Sequence, residues 1–260
     1  MMARLVRILR CYWSTSLQAE LEYRSNFVVQ ALGSALALTG SIFALSLFYR
    51  GAGFPGWTFE EGLVVQGLYS AFAGAISCIL SPNLSRIVQH VEAGTLDFVL
   101  LKPVDAQLTL SLRVLSPWGV PDLAFGIGVI AWGAWHAPAR GGSVTLAVVA
   151  AGFGAIIIYG LWFLVATTSV WFTKIYNATE VLRGLLDAGR FPMAAYPAAY
   201  RFVFTFVVPV AFLTTVPAEL LLGRGQPVMV LAAAVIALVL LVVSRVFWRF
   251  ALRSYTGASG

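Results

Sequence analysis

Charge is what this sequence has least of. Only 11% of its 260 residues are Asp, Glu, Lys or Arg, against about a quarter in ordinary soluble domains. Lysine occurs twice, as Lys102 before Pro103 and Lys174 before Ile175. A phosphate-cradling P-loop needs a lysine followed by Ser or Thr after a glycine-rich turn, so ATP is not bound here by that device. His90 and His136 fall on opposite sides of the membrane in the topology derived below and cannot share a metal. Neither HExxH nor GxSxG occurs, which leaves metal-dependent and serine hydrolysis without their usual frameworks. Two cysteines, Cys11 and Cys78, are too few for a disulfide framework. Cys78 sits in an apolar run and reads as a packing residue. With no solenoid repeat and no low-complexity linker, residues 1–260 read as one membrane domain.

Apolar residues fill the space that charge leaves. They make up 60% of the chain, with a mean hydropathy of +0.86, and they come in blocks. A spanning helix needs roughly 20 apolar residues to cross about 30 Å of hydrocarbon. Six blocks qualify to different degrees: Phe27 to Phe48, Leu63 to Leu80, Trp118 to Trp135, Val144 to Phe172, Phe202 to Val216 and Val228 to Phe247. The third has Pro117, Pro121 and Asp122 near its start, and the fifth is short and holds Pro209. The expected fold is all-α, a polytopic transmembrane domain of six spanning helices. Met1 to Arg10 is basic, but Cys11 to Arg24 is polar, so no cleavable signal peptide is expected.

Basic residues set the orientation. With both termini in the cytoplasm, fourteen of the seventeen arginines and lysines fall inside, among them Arg113, Lys174, Arg183, Arg190, Arg201, Arg245, Arg249 and Arg253. Outside lie Arg50, Arg140 and Arg224, a strong positive-inside bias. The net charge of +6 then reflects topology and membrane lipids, and a nucleic-acid partner is unnecessary. The expected outer connections are Tyr49 to Gly62, His136 to Ser143 and Pro217 to Pro227. Residues 1–25 interleave Leu5, Ile8, Leu9 and Tyr12 with Arg4, Arg7 and Arg10, the pattern of an amphipathic helix in the interface. The alternative is a frayed cytoplasmic leader.

The cytoplasmic loop of residues 81–107 is the most informative polar stretch. Pro82 to Ser85 suits a helix start, Arg86, Ile87, His90 and Val91 follow at helical spacing, and Gly94-Thr95 suits its end. A second short turn from Leu96 and Asp97 would hold Leu96, Val99 and Leu100 on an apolar face and stop at Lys102-Pro103. Such a broken amphipathic pair is shaped either to dock on another protein or to lie in the lipid interface. Asp122 is the one acid placed to be buried. It either pairs with Arg113 or caps the helix that begins after Pro121, or it handles a proton or substrate, since acids within the membrane are costly and often functional. Trp162, Phe163 and Trp171 either pack and anchor or stack on an organic cation.

The stretch Ile87-Val88-x-x-Val91-Glu92-x-Gly94-Thr95-Leu96-Asp97-x-x-Leu100-Leu101-Lys102-Pro103 resembles the permease subunits of type-2 ABC exporters. It is most similar to the six-helix, viologen-exporter-like branch, which carries a G-x-L-D-x-x-L-x-K-P signature between the second and third spans. Phe191-Pro192, Tyr196-Pro197, Phe206 to Phe212 and Val216 to Glu219 resemble that branch's approach to and passage through the fifth helix. The resemblance implies an exporter subunit in the bacterial plasma membrane, paired with a second permease chain, identical or related. A separate ATPase subunit would hold ATP and Mg, leaving this chain no cofactor and no enzymatic site of its own. It implies an ATPase-coupling loop carried by Arg86, Glu92, Gly94, Leu96, Asp97, Lys102 and Pro103. It also implies short, partly re-entrant outer helices after the fifth span, with Pro217 to Leu222 among them. An ion-coupled transporter or channel using Asp122 is the alternative.

Overall fold

The computed structural model describes residues 2–21, 24–51, 53–138, 141–172 and 182–255. Arg140, Lys174 and residues 256–260 lie outside these. The described residues form helices and turns without strands. In chain order the α-helices are α1 Met2–Leu21, α2 Arg24–Arg50, α3 Phe59–Ala75, α4 Ser81–Glu92, α5 Asp97–Leu100, α6 Ala106–Leu112, α7 Val120–His136 and α8 Val144–Thr167. Three more follow: α9 Ala198–Phe202, α10 Thr215–Leu221 and α11 Val228–Ser254. Residues 182–186 are also helical. Among the described residues, four helices are long and apolar enough to cross a membrane, at Ser25–Arg50, Phe59–Glu92, Val144–Val170 and Val228–Ser254. Two bent pairs raise the number to six if each is one span: α6 with Pro117–His136, bent by 53°, and Ala198–Val207 with Val210–Leu221, bent by 73°.

Expectation and structure part at the second span. Instead of closing at Ser81-Pro82, α3 runs through a π-helical turn, Ile76–Leu80, into α4. Proline has no N–H and would orphan the carbonyl four residues back. That carbonyl, Cys78 O, takes the Ser116 N–H at 2.9 Å instead. Asn83 completes the splice. Its amide donates to Ile79 O at 2.6 Å and Val114 O at 2.7 Å, and its own oxygen accepts the Val114 N–H at 2.8 Å. The non-helical stretch between α6 and α7 is tolerated beside the membrane because protein satisfies its backbone. Helix α1 contributes there too: Trp13 donates to Leu112 O at 2.7 Å and Ser16 to Leu115 O at 3.0 Å. In α1, Ile8, Leu9 and Tyr12 are partly buried while Arg7 and Arg10 are exposed, the expected amphipathic division.

Helices α3 and α7 pack almost backbone to backbone. A Cβ on Gly119 would lie 2.1 Å from the Gly74 carbonyl oxygen, and one on Gly126 would lie 2.5 Å from the Ala71 nitrogen. Small residues that let backbones approach are what holds helices together in lipid, where apolar burial offers no net gain. The main core joins α8 and α11 with α4 and the loop after it, around Trp162, Phe163, Trp248, Leu84, Ile87 and Leu96. Phe163 meets Trp248 edge-on at 5.5 Å.

The three expected outer connections share one end of the bundle. Arg224 donates to Gly56 O at 2.6 Å, and the Ser143 N–H donates to Leu220 O at 3.1 Å. The fifth block departs from expectation. Phe191 packs on Phe54 at 5.7 Å, and Ala194 and Ala195 join the cluster of Phe54 and Trp57, so the chain has already reached that end before Phe202. From there Ala198–Val207 turns back. At Pro209 (φ −71°, ψ 56°) the chain bends near mid-helix of α8, where a Cβ on Gly154 would lie 2.7 Å from Phe212 O. Helix α10 then returns to Leu220. Gly154 is ten residues into α8, about 15 Å below its start. The block is therefore a re-entrant hairpin and not a straight crossing, because Pro209 breaks a run that hydropathy alone reads as continuous. Arg201, expected at the basic end, belongs to this opposite half, its side chain reaching Tyr196 O at 3.4 Å, while Arg190 sits at mid-depth against Tyr69, ten residues into α3.

Candidate functional site

Helix α4 ends where the sequence says it should. Gly94 takes φ +64°, which glycine alone adopts without strain. The Thr95 N–H reaches His90 O at 2.9 Å and the Gly94 N–H reaches Val91 O at 3.2 Å, the paired bonds of a Schellman cap. His90 Nδ1 and Thr95 Oγ1 meet at 2.8 Å across the turn. The reversal sends Leu96 and Val99 into the core, both essentially buried. Leu100, expected beside them, is exposed, because α5 is only four residues long and turns it outward.

What remains outside is a knuckle. Phe98 is 69% exposed and Leu101 81% exposed, flanked by exposed Glu92, Lys102 and Pro103, with Asp97 half-buried and Arg86 exposed on α4. The expected charged residues do gather at this end, but two apolar side chains stand furthest out between them. Sequence reading missed those two. Phe98 and Leu101 lie at i and i+3, the spacing that places side chains on one helix face.

Asp122 stands apart from the knuckle. It occupies the first turn of α7, where the helix dipole favours an acid. Half-buried, it makes no hydrogen bond or ion pair among the described residues. Arg113, its expected partner, lies instead over the Tyr12 ring at 5.6 Å, and the α7 cap carries no side-chain bond.

Three polar groups were not legible as clusters. Asp105 caps α6 by accepting the Leu108 N–H at 3.0 Å, and it pairs with Arg245 of α11. Burial works to raise the Asp105 pKa, but the Arg245 hydrogen bond, the Leu108 N–H and the arginine charge outweigh it and hold the carboxyl below its usual range. Glu61 and Arg224 meet at 2.5 Å at the opposite end. Tyr69 donates to Asp187 and lies under Arg190 at 4.9 Å, beside a cavity of about 200 Å³ that Phe72, Trp162 and Thr214 also line. The guanidinium of Arg183 covers the Trp162 ring at 5.4 Å, while Trp171 packs on Phe247 at 5.5 Å and Phe250 at 5.7 Å. These aromatics pack against the protein's own side chains.

The family model described as ABC-2 family transporter protein matches residues 35–259. No curated protein matches the chain, and no solved structure matches it.

Proposed function

This chain belongs to the ABC-2 family of transporter proteins, and we propose that it is the membrane-spanning permease of an ATP-driven exporter in a bacterial plasma membrane. A second permease chain completes the pathway, and a separate ATPase subunit supplies the energy by holding ATP and Mg. The basic end of the bundle faces the cytoplasm. The Gly94 reversal presents the knuckle to the ATPase, with Phe98 and Leu101 as apolar anchors and Arg86, Glu92, Asp97, Lys102 and Pro103 around them. Interfaces of this kind draw most of their affinity from a few buried side chains within a polar rim. Leu96 ties the knuckle rigidly to α4, and through it to α3, so a push on the loop is carried into the bundle.

The observation carrying this reading is the family match together with the outward-facing pair of apolar residues on a firmly capped loop. Among the described residues Asp122 makes no hydrogen bond or ion pair through which a proton would be relayed, so the ATP-driven reading is preferred to the ion-coupled one. The test is copurification of the ATPase subunit and its turnover in vesicles, comparing the native chain with Leu101→Asp and with Glu92→Lys, Asp97→Lys. Loss of at least tenfold in ATPase association, with the unfolding temperature of the permease unchanged, is expected. Full association and turnover in both variants would return the knuckle to the lipid interface.

A further inference from the structure

Helix α11 runs seventeen residues without a charge, from Val228 to Ser244, and then meets Arg245. At 1.5 Å per residue, Arg245 lies about 26 Å along the helix, close to the far edge of roughly 30 Å of hydrocarbon. A groove of about 440 Å³ opens here between α6, α8 and α11. Its polar floor is one connected chain. Arg245 binds Asp105 and donates to Gln107 Oε1 at 3.1 Å. Gln107 Nε2 donates to the Tyr159 hydroxyl at 3.2 Å, and that hydroxyl lies 2.9 Å from Ser111 Oγ. Its apolar wall includes Leu108 and Leu241.

Two features say what fits. The guanidinium has five N–H donors, and Asp105 and Gln107 take three of them. Beyond it, Arg249 and Arg253 follow at i+4 and i+8, exposed and without an ion pair among the described residues. Flanking the groove on the other side, Leu238 and Val242 are 64% and 54% exposed on a helix face clad in apolar side chains. Asp105 balances the Arg245 charge within the groove, so negative charge is drawn by Arg249 and Arg253 on the turns beyond it, and an acyl chain by the apolar face on the other side.

We propose that this groove holds the phosphate of an anionic phospholipid, with Arg245 and Arg249 as the phosphate contacts, Tyr159 and Ser111 beneath the headgroup, and the acyl chain along Leu241, Leu238 and Val242. The inference does not depend on the ATPase. The bound lipid joins α6, α8 and α11, so the helix pair that carries the basic end is closed by a lipid as well as by protein.

The test is native mass spectrometry of the purified chain in detergent doped equally with phosphatidylglycerol and phosphatidylcholine of the same acyl chains. The native protein should retain phosphatidylglycerol in several-fold excess. Arg249→Gln should reduce that preference roughly fivefold and leave the unfolding temperature in lipid-free detergent unchanged, whereas Tyr159→Phe, which strips Gln107 and Ser111 of a partly buried partner, should lower that temperature. Arg249 is exposed, so its variant is expected to fold and keeps the test decisive even if the Tyr159 variant does not. Equal retention of the two lipids overturns the proposal, as does a preference that survives Arg249→Gln. Inorganic phosphate displacing the lipid at equal concentration would identify a soluble phosphate ligand and overturn the lipid assignment.

Discussion

At the scale of single residues, the sharpest dependence is that of Glu61 on Arg224. Glu61 is 1% exposed, and a buried carboxylate is tolerated only when paired and hydrogen-bonded. It closes a capping box at the start of α3: Thr58 N–H donates to Glu61 Oε2 at 3.0 Å, and Glu61 N–H donates to Thr58 Oγ1 at 3.3 Å. Arg224 then supplies charge at 2.5 Å while its plane lies 4.8 Å over the Trp57 ring and its second nitrogen holds Gly56 O. Removing one partner of such a pair costs more than the pair contributes, because the other charge stays buried. Arg224→Ala should therefore destabilise the protein by about 3 kcal/mol. Adding Glu61→Gln should recover part of the loss, since the amide keeps the bond to Thr58 without a charge. Thermal unfolding of the two variants in detergent measures this, and a double variant no more stable than Arg224→Ala alone would show that the charge is not the cause.

At the scale of elements, the contact between α3 and α7 is set by glycine and not by apolar area. Gly119→Ala drives a methyl group into the Gly74 backbone, where nothing flexible can give way, so the two helices must separate. Gly128→Ala, inside α7 itself and with nothing within 4 Å of its Cβ, should be neutral or stabilising by about 1 kcal/mol through helix propensity. Opposite shifts of the unfolding temperature are expected from these two alanines, and equal shifts would remove close approach as the explanation. These elements also show what a sequence can and cannot reveal. The Gly94 stop was legible because helix termination is local chemistry, as was the amphipathic division of α1. Continuity through Pro82 was not, because the partners that make it possible, Ser116 and the Asn83–Val114 bonds, lie more than thirty residues away in sequence. Arg245 was visible as the first charge after an apolar run, but its partner Asp105 is 140 residues away. The apolar tip of the knuckle was missed for a different reason: a four-residue helix is too short for periodicity to say which side faces out.

At the scale of the whole molecule, the question is which end each segment occupies, and the fifth block decides it. Hydropathy reads Phe202 to Val216 as a crossing that starts in the cytoplasm, which puts Arg201 on the same side as Lys102. The packing of Phe191, Ala194 and Ala195 beside Phe54 and Trp57 puts the start of α9 at the end that carries the 53–58 loop. The two arrangements differ by the thickness of a bilayer for one residue. Single cysteines introduced in a Cys11→Ser background separate them, since Cys78 is buried and will not react. Probes at Gly53, Lys102, Ala199 and Ser254, labelled with a membrane-impermeant maleimide in intact cells, should fall into two pairs. Gly53 and Ala199 should label, and Lys102 and Ser254 should label only after permeabilisation. Ala199 reacting together with Lys102 would restore the straight fifth crossing and dissolve the re-entrant hairpin. Gly53 protected while Lys102 reacts would invert the whole bundle and leave the knuckle on the side where no ATPase could reach it.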